Sequence, residues 1–219
     1  MKRIGLVLVA GGSGKRMGNK LAKQFIQVNN KPILQHSIDL FYSWNKDIQV
    51  VLVLPEDQIS YWKSIINPSE INYSICNGGD ERFHSVKKGL EALSEVDYVM
   101  IHDGVRPLVS HEVLDRCLHS LESNKGVIPV ISPTETVRIL DGSTSLHLDR
   151  NKIRMVQTPQ CFHYPEIINA YKSPYKETFT DDASVFENAG NSVSLVEGND
   201  ENIKITTPAD LKWASIYLN

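Results

Sequence analysis

Gly11, Gly12, Ser13 and Gly14, followed by Lys15, Arg16, Lys20 and Lys23, set pliable backbone beside concentrated positive charge. Glycine lets main-chain amides come close to a ligand, and amides together with cations suit the oxygens of a polyphosphate. The apolar run Leu6–Val9 just before them reads as a buried strand, so the loop lies at a strand's C-terminal end. An ordinary β-to-α turn with solvated lysines fits less well, because placement, glycine content and charge agree. A Walker loop is excluded: counting back from Gly14-Lys15 puts Val9 at the first glycine position and Arg16 at the hydroxyl position. A dinucleotide fingerprint is excluded because Met17 stands where its third glycine belongs.

Other groups with chemistry lie farther along. Asp103 follows Tyr98–Ile101 and His102, and a carboxylate at a strand end can hold Mg²⁺ that bridges phosphate oxygens. A turn or helix-cap aspartate is the plainer alternative, and His102 reads as structural. In GGDERFHSV, Asp80 and Ser85 form a donor–acceptor set for a nucleobase edge, with Gly78 and Gly79 allowing close approach; capping of the next helix explains them equally well. Arg150, Lys152 and Arg154 either face solvent or present an arginine fork to a phosphomonoester. Thr136, Thr180 and Lys204 add possible donors. No Ser-His-Asp or Cys-His set is evident, which disfavours covalent catalysis, and no ligand spacing suggests zinc.

Helices and strands must position these groups. The pattern predicts strands at Ile48–Pro55, Asn72–Cys76, Tyr98–Ile101 and Gly126–Ile131. Between them fall helices: one begun by Pro32 and carrying Leu34, Ile38 and Phe41, one from Asp57 to Ile66, one carrying Val86 and Leu90, and one capped by Ser110. Such alternation implies right-handed crossovers and a mostly parallel sheet, whose ligands collect beyond the C-terminal strand ends. Glu135–Leu140 and Ser145–Asp149 read as an exposed hairpin turning at Asp141-Gly142-Ser143, either mobile on a monomer or packed on a partner. Met155–Phe162 reads as extended, Pro165 begins a short helix, and Thr180-Asp181-Asp182 caps another. Ser192–Val196 and Asn202–Ile205 read as strands, and the last helix starts at Thr207-Pro208.

The 219 residues suit one α/β domain spanning 1–219. Net charge is −3, yet seven Lys and Arg and no acid precede Asp39, so the remainder carries −10. That asymmetry suits capture of a small polyanion in one pocket and argues against nucleic acid. Cys76, Cys117 and Cys161 are odd in number and scattered, which suggests a reducing cytoplasm. No apolar run approaches membrane-spanning length, and no signal-peptide pattern opens the chain.

Taken in order, LVAGGSGKRMG, AKQF, GGDERFHSV, HDGVRP, DRN, QTPQCF, TDDASVFE and NIKITTPADL resemble the 2-C-methyl-D-erythritol 4-phosphate cytidylyltransferase family, over nearly the whole chain. The resemblance implies a three-layer α/β, mostly parallel Rossmann-like nucleotidyltransferase sheet with a protruding hairpin dimerisation arm, residues 132–152, and hence a homodimer. It implies transfer of the CMP group of CTP to methylerythritol 4-phosphate with Mg²⁺, in non-mevalonate isoprenoid biosynthesis. Matching the motifs residue by residue, Arg16, Lys23, Arg150 and Lys204 would be catalytic. Ala10, Gly11, Gly12, Gly14, Lys15, Gly79, Asp80 and Ser85 would bind CTP, and Asp103 would serve the metal. Thr180 and Lys204 would lie at the acceptor phosphate, and Arg106, Thr136 and Arg150 would bind it, largely from the partner's arm. Two departures are Ala22 where the family usually has Pro before Lys-Gln, and Gly104-Val105 where it has two small residues. A ribitol-5-phosphate cytidylyltransferase shares the loop, fold and CTP, but Asp149-Arg150-Asn151 and TDDASVFE fit the methylerythritol enzyme better. A non-catalytic nucleotide-binding module would lack the cations that are present here.

Overall fold

The computed structural model describes residues 2–11, 21–66 and 73–218. In chain order the strands begin with β1 (Ile4–Val9) and the short pair β2 (Gln27–Val28) and β3 (Lys31–Pro32), followed by helix α1 (Ile33–Trp44). There follow β4 (Gln49–Leu54), α2 (Glu56–Ile65), β5 (Tyr73–Asn77), α3 (Arg82–Glu91), β6 (Tyr98–Asp103), α4 (His111–Leu121) and β7 (Gly126–Ile131). A hairpin of β8 (Val137–Asp141) and β9 (Thr144–Leu148) precedes β10 (Met155–Val156), β11 (Gln160–His163), α5 (Tyr164–Ala170), α6 (Asp182–Asn188), β12 (Ser194–Glu197) and α7 (Pro208–Tyr217).

Eight strands form one sheet in the order β10-β7-β11-β6-β1-β4-β5, with β12 pairing β7. Pairing is parallel from β6 through β5 and between β12 and β7, while β10 and β11 run antiparallel to their neighbours. The apolar runs are buried on both faces, which is why they read as continuous rather than alternating. Leu6, Leu8 and Leu52 face one layer with Leu34, Phe41, Trp62 and Val113. Val7, Val9 and Val53 face the other with Phe83, Val86, Ile167 and Phe186. Each fully buried leucine stabilises the fold by about 2 kcal/mol. Helices on both faces of the sheet make the three expected layers.

Register brings the strand ends level. Val9 pairs with both Val53 and Asp103, and Leu54 pairs with Asn77. Beyond them, Ala10 N donates to Val53 O, Gly104 N to Val9 O and Gly78 N to Leu54 O, at 3.0, 2.8 and 2.7 Å. The chain therefore leaves β1, β4, β5 and β6 on a single edge.

Several local expectations shift. Pro32 ends β3 and caps α1 rather than opening its first turn. Met155–Phe162 is two short strands divided at a cis Thr158–Pro159 bond. Asn202–Ile205 is no strand: Asn202 Nδ2 donates to Thr158 O at 2.8 Å and Ile205 N to Val105 O at 3.0 Å, so isolated contacts replace a ladder. On α2 only Trp62 is fully buried. Ser110 caps α4 as expected, accepting from Val113 N, and Asp181 and Thr207 form capping boxes at α6 and α7. The hairpin forms with Gly142 at φ +57°, a left-handed turn position that glycine tolerates.

Candidate active site at the strand edge

A pocket opens where those strand ends meet, lined by Ala10, Gly11, Lys23, Gly79, Asp80, Ser85, Asp103 and Lys204, all expected from the sequence. Gly12, Gly14, Lys15 and Arg16 lie outside the described residues. Thr136, Arg150 and Thr180 are exposed and do not line this pocket. Arg150 instead borders a separate concavity with Thr134 and Arg154, and its Nη1 donates to Thr134 O at 2.6 Å.

Asp103 is the electrostatic centre of the floor. Its side chain is 9% exposed; Oδ2 meets Arg106 Nε and Lys204 Nζ, each at 3.1 Å, and Oδ1 lies 3.8 Å from Arg82 Nε. Burial pushes this carboxyl up, but Arg82, Lys204 and Arg106 outweigh it and hold the group well below the usual carboxylate range. Asp103 is therefore ionised at any ordinary pH. Arg106, expected at the acceptor phosphate, sits behind Asp103 and spends Nη1 on Asn202 O at 2.8 Å, so it fixes the segment that delivers Lys204. Lys204 is 42% exposed on its side chain, which leaves it able to exchange Asp103 for a ligand oxygen.

His102 is structural. It is fully buried, its Nε2 lies 2.9 Å from Arg106 O and its Nδ1 3.0 Å from Thr158 Oγ1. A carbonyl only accepts, so Nε2 carries the proton and Nδ1 accepts from the threonine. Burial lowers this imidazole to about 4, and it stays neutral.

The turn after β5 is braced rather than capped. The N-cap of α3 is Glu81, without a side-chain cap bond. Ser85 Oγ accepts from Gly79 N at 3.0 Å, and Lys88 Nζ donates to Gly78 O at 2.8 Å. A Cβ on Gly79 would lie 2.4 Å from His84 Cβ, so the tight turn requires glycine. Gly79 and Asp80 remain exposed, presenting main-chain groups to the pocket.

Two pocket-lining side chains escaped sequence reasoning. Gln24 is fully buried at the pocket wall; its Nε2 donates to Ala10 O at 2.8 Å and Gln58 Oε1 at 2.6 Å, joining the two ends of the glycine loop. The other is Arg82, forked onto the buried Asp182 at 2.7 Å through both Nη atoms. Burial lowers the guanidinium, but Asp182 above all, then Asp103, hold it above its ordinary value. A signal was present: an arginine in a helix's first turn opposes the dipole and calls for carboxylate partners.

A mostly parallel sheet that gathers Gly11, Lys23, Lys204 and one ionised carboxylate at its C-terminal edge has the make-up of a nucleotidyltransferase. The family model described as 2-C-methyl-D-erythritol 4-phosphate cytidylyltransferase matches residues 4–219, and the chain belongs to that family. A protein of that name from Bacteroides fragilis is 47% identical over 214 residues, covering 97% of this chain and 98% of its own. The crystal structure of 4-diphosphocytidyl-2C-methyl-D-erythritol synthase from Anaerococcus prevotii matches with TM-score 0.85 and 30% identity, over 99% of this chain and 96% of that one. The Thermus thermophilus cytidylyltransferase gives TM-score 0.78 at 27% identity, over 100% and 99%.

Proposed function

We propose that this chain transfers the cytidylyl group of CTP to 2-C-methyl-D-erythritol 4-phosphate, releasing pyrophosphate, a step of non-mevalonate isoprenoid synthesis. The observation that carries the reading is the meeting of Lys23, Lys204 and Asp103 with the Gly79–Ser85 turn in one pocket. A phosphate oxygen of the acceptor attacks the α-phosphorus of CTP in line, and the bond to the β-phosphate oxygen breaks. No covalent enzyme intermediate is needed, so catalysis consists of positioning and charge stabilisation.

Lys23 and the loop cation Arg16 neutralise the triphosphate, and Lys204 meets charge developing at the α-phosphate. The main chain of Gly79 and Asp80 reads the cytosine edge, with Ser85 holding that turn in shape. Asp103 fits the Mg²⁺ that accompanies a triphosphate, because such an ion needs only one or two protein carboxylates beside phosphate oxygens. When bound, the ion neutralises charge on the leaving pyrophosphate. Thr180 serves the acceptor from the same chain. Thr136 and Arg150, which do not line the pocket, serve it from a partner's arm, which makes the working unit a homodimer of single-domain chains. The odd, scattered cysteines support a cytoplasmic setting, and among the described residues no helix is long and apolar enough to cross a membrane.

Pyrophosphate release with CTP, Mg²⁺ and a panel of polyol phosphates tests the reading. Methylerythritol 4-phosphate is expected to be the fastest acceptor; faster turnover of ribitol 5-phosphate would overturn the choice.

A further inference from the structure

Arg82 joins two carboxylates that belong to separate segments. Its Nη1 and Nη2 donate to Asp182 Oδ1 and Oδ2 at 2.7 Å, while its Nε lies 3.8 Å from Asp103 Oδ1. Asp182 is fully buried at the first turn of α6 and also accepts from Tyr171 Oη at 2.6 Å. The segment that enters α6 is held further, with Gln160 Nε2 donating to Asp181 Oδ2 and Ala183 N to Gln160 Oε1, both at 2.8 Å. Arg82 itself lines the pocket at the start of α3, directly after the Gly79–Asp80 turn.

We infer that Arg82 is a positioning residue that fixes the acceptor-side segment Thr180–Asp182 against Asp103 and the nucleotide-side turn. The inference rests on the cytidylyl-transfer reading of the pocket. In-line displacement tolerates little error, and a misplacement of about 1 Å can cost 100-fold. The nucleotide-side turn leads into α3 and the acceptor-side threonine into α6. The Arg82–Asp182 fork supplies the directional tie between the starts of these helices, beside the ring of Phe83 stacked on Phe179. A cation forked onto one carboxylate while its Nε faces a second also sets the place of Asp103, and thereby of Lys204 on its other oxygen.

The competing role is that of a buried ion pair that only holds the fold. Such a pair can be exchanged for apolar groups without loss of stability, provided no partner is left orphaned. The triple variant Arg82→Met/Tyr171→Phe/Asp182→Leu removes the whole polar set, and Arg82→Lys keeps the charge without the fork. Thermal midpoint, CTP affinity by calorimetry, and pyrophosphate release against acceptor concentration are measured for each. The triple variant is expected to keep its midpoint within about 3 °C and its CTP affinity within about 3-fold, while kcat falls about 100-fold. Arg82→Lys is expected to lose about 10-fold in kcat with CTP affinity kept. Unchanged kcat in a folded triple variant overturns the positioning role alone. Should the triple variant not fold, Arg82→Lys decides: lowered kcat at unchanged midpoint and CTP affinity supports the role, and unchanged kcat overturns it. A parent enzyme without acceptor turnover removes the transfer reading, and the positioning role with it.

Discussion

At the pocket floor, Asp103 is 9% exposed and faces three cations, while in the hairpin arm Leu140 is 82% exposed and touches no large core. The floor is assembled from segments far apart in sequence: β6, the start of α3 and the stretch around Lys204 converge on one carboxylate. The arm is local: among the described residues β8 and β9 pair only with each other, and Arg138 bonds Ser145 across the turn. A desolvated site with fixed charges is set for chemistry before substrate arrives. A two-stranded ribbon with Ile139, Leu140 and Leu146 exposed is only marginally stable by itself and gains most from a second surface. One chain thus holds a finished region and an unfinished one, which is the physical ground for proposing a dimer.

The largest expected effects break the finished region. Lys23→Ala is expected to lower kcat by about 100- to 1,000-fold with little change in thermal midpoint, read by pyrophosphate release and calorimetry. Retained turnover would remove the loop from the mechanism. In the arm the expectation reverses: Leu140→Lys leaves the protomer's fold and CTP affinity intact but weakens self-association. Sedimentation at several concentrations checks this, with acceptor turnover falling about 10-fold or more as the dimer is lost. A dimer unaffected by this change would detach the arm from assembly.

A smaller effect concerns pH. Burial holds His102 at about 4 rather than its ordinary 6.5, so the folded chain keeps it neutral and the unfolded chain protonates it. Between pH 6.5 and 4 the unfolded state binds more protons, so stability falls as pH drops through that window, by about 3 kcal/mol in all. Asp103 acts lower still: its contribution is present above the unfolded carboxylate value and is lost only as pH falls through its depressed folded value. Urea unfolding at several pH values should show His102→Gln with a flatter slope than the parent, and an equal slope would refute this assignment. Smallest is Ser110→Ala, which removes the α4 cap and is expected to cost about 1 kcal/mol with turnover unchanged.

The same contrast explains what could be read in advance. Buried strands and the groups at their ends were legible, because long apolar runs, glycines and a terminal carboxylate carry local signals. Gly79 and Asp103 were placed on one edge by the topology of parallel strands, whereas Lys204 reaches that edge from a segment that forms no strand. What stayed hidden depends on distant partners. The place of Arg82 in a helix's first turn calls for a carboxylate, but nothing near it in the chain singles out Asp182, and Asn202–Ile205 looked like a strand because isolated contacts to the carbonyls of Thr158 and Val105 leave no periodic mark. The resemblance assigns Arg106 to the acceptor phosphate, and no local signal told that its guanidinium also meets Asp103 and Asn202 O.

Central to the account is that Lys204, released from Asp103, stabilises charge at the α-phosphate. Pyrophosphate release from CTP and methylerythritol 4-phosphate, compared between the parent and Lys204→Ala, tests this most directly. The account predicts acceptor-dependent release by the parent and a loss of about 100-fold in kcat for the variant, with CTP affinity changed far less. Equal kcat in parent and variant, or release that does not depend on the acceptor, would contradict it.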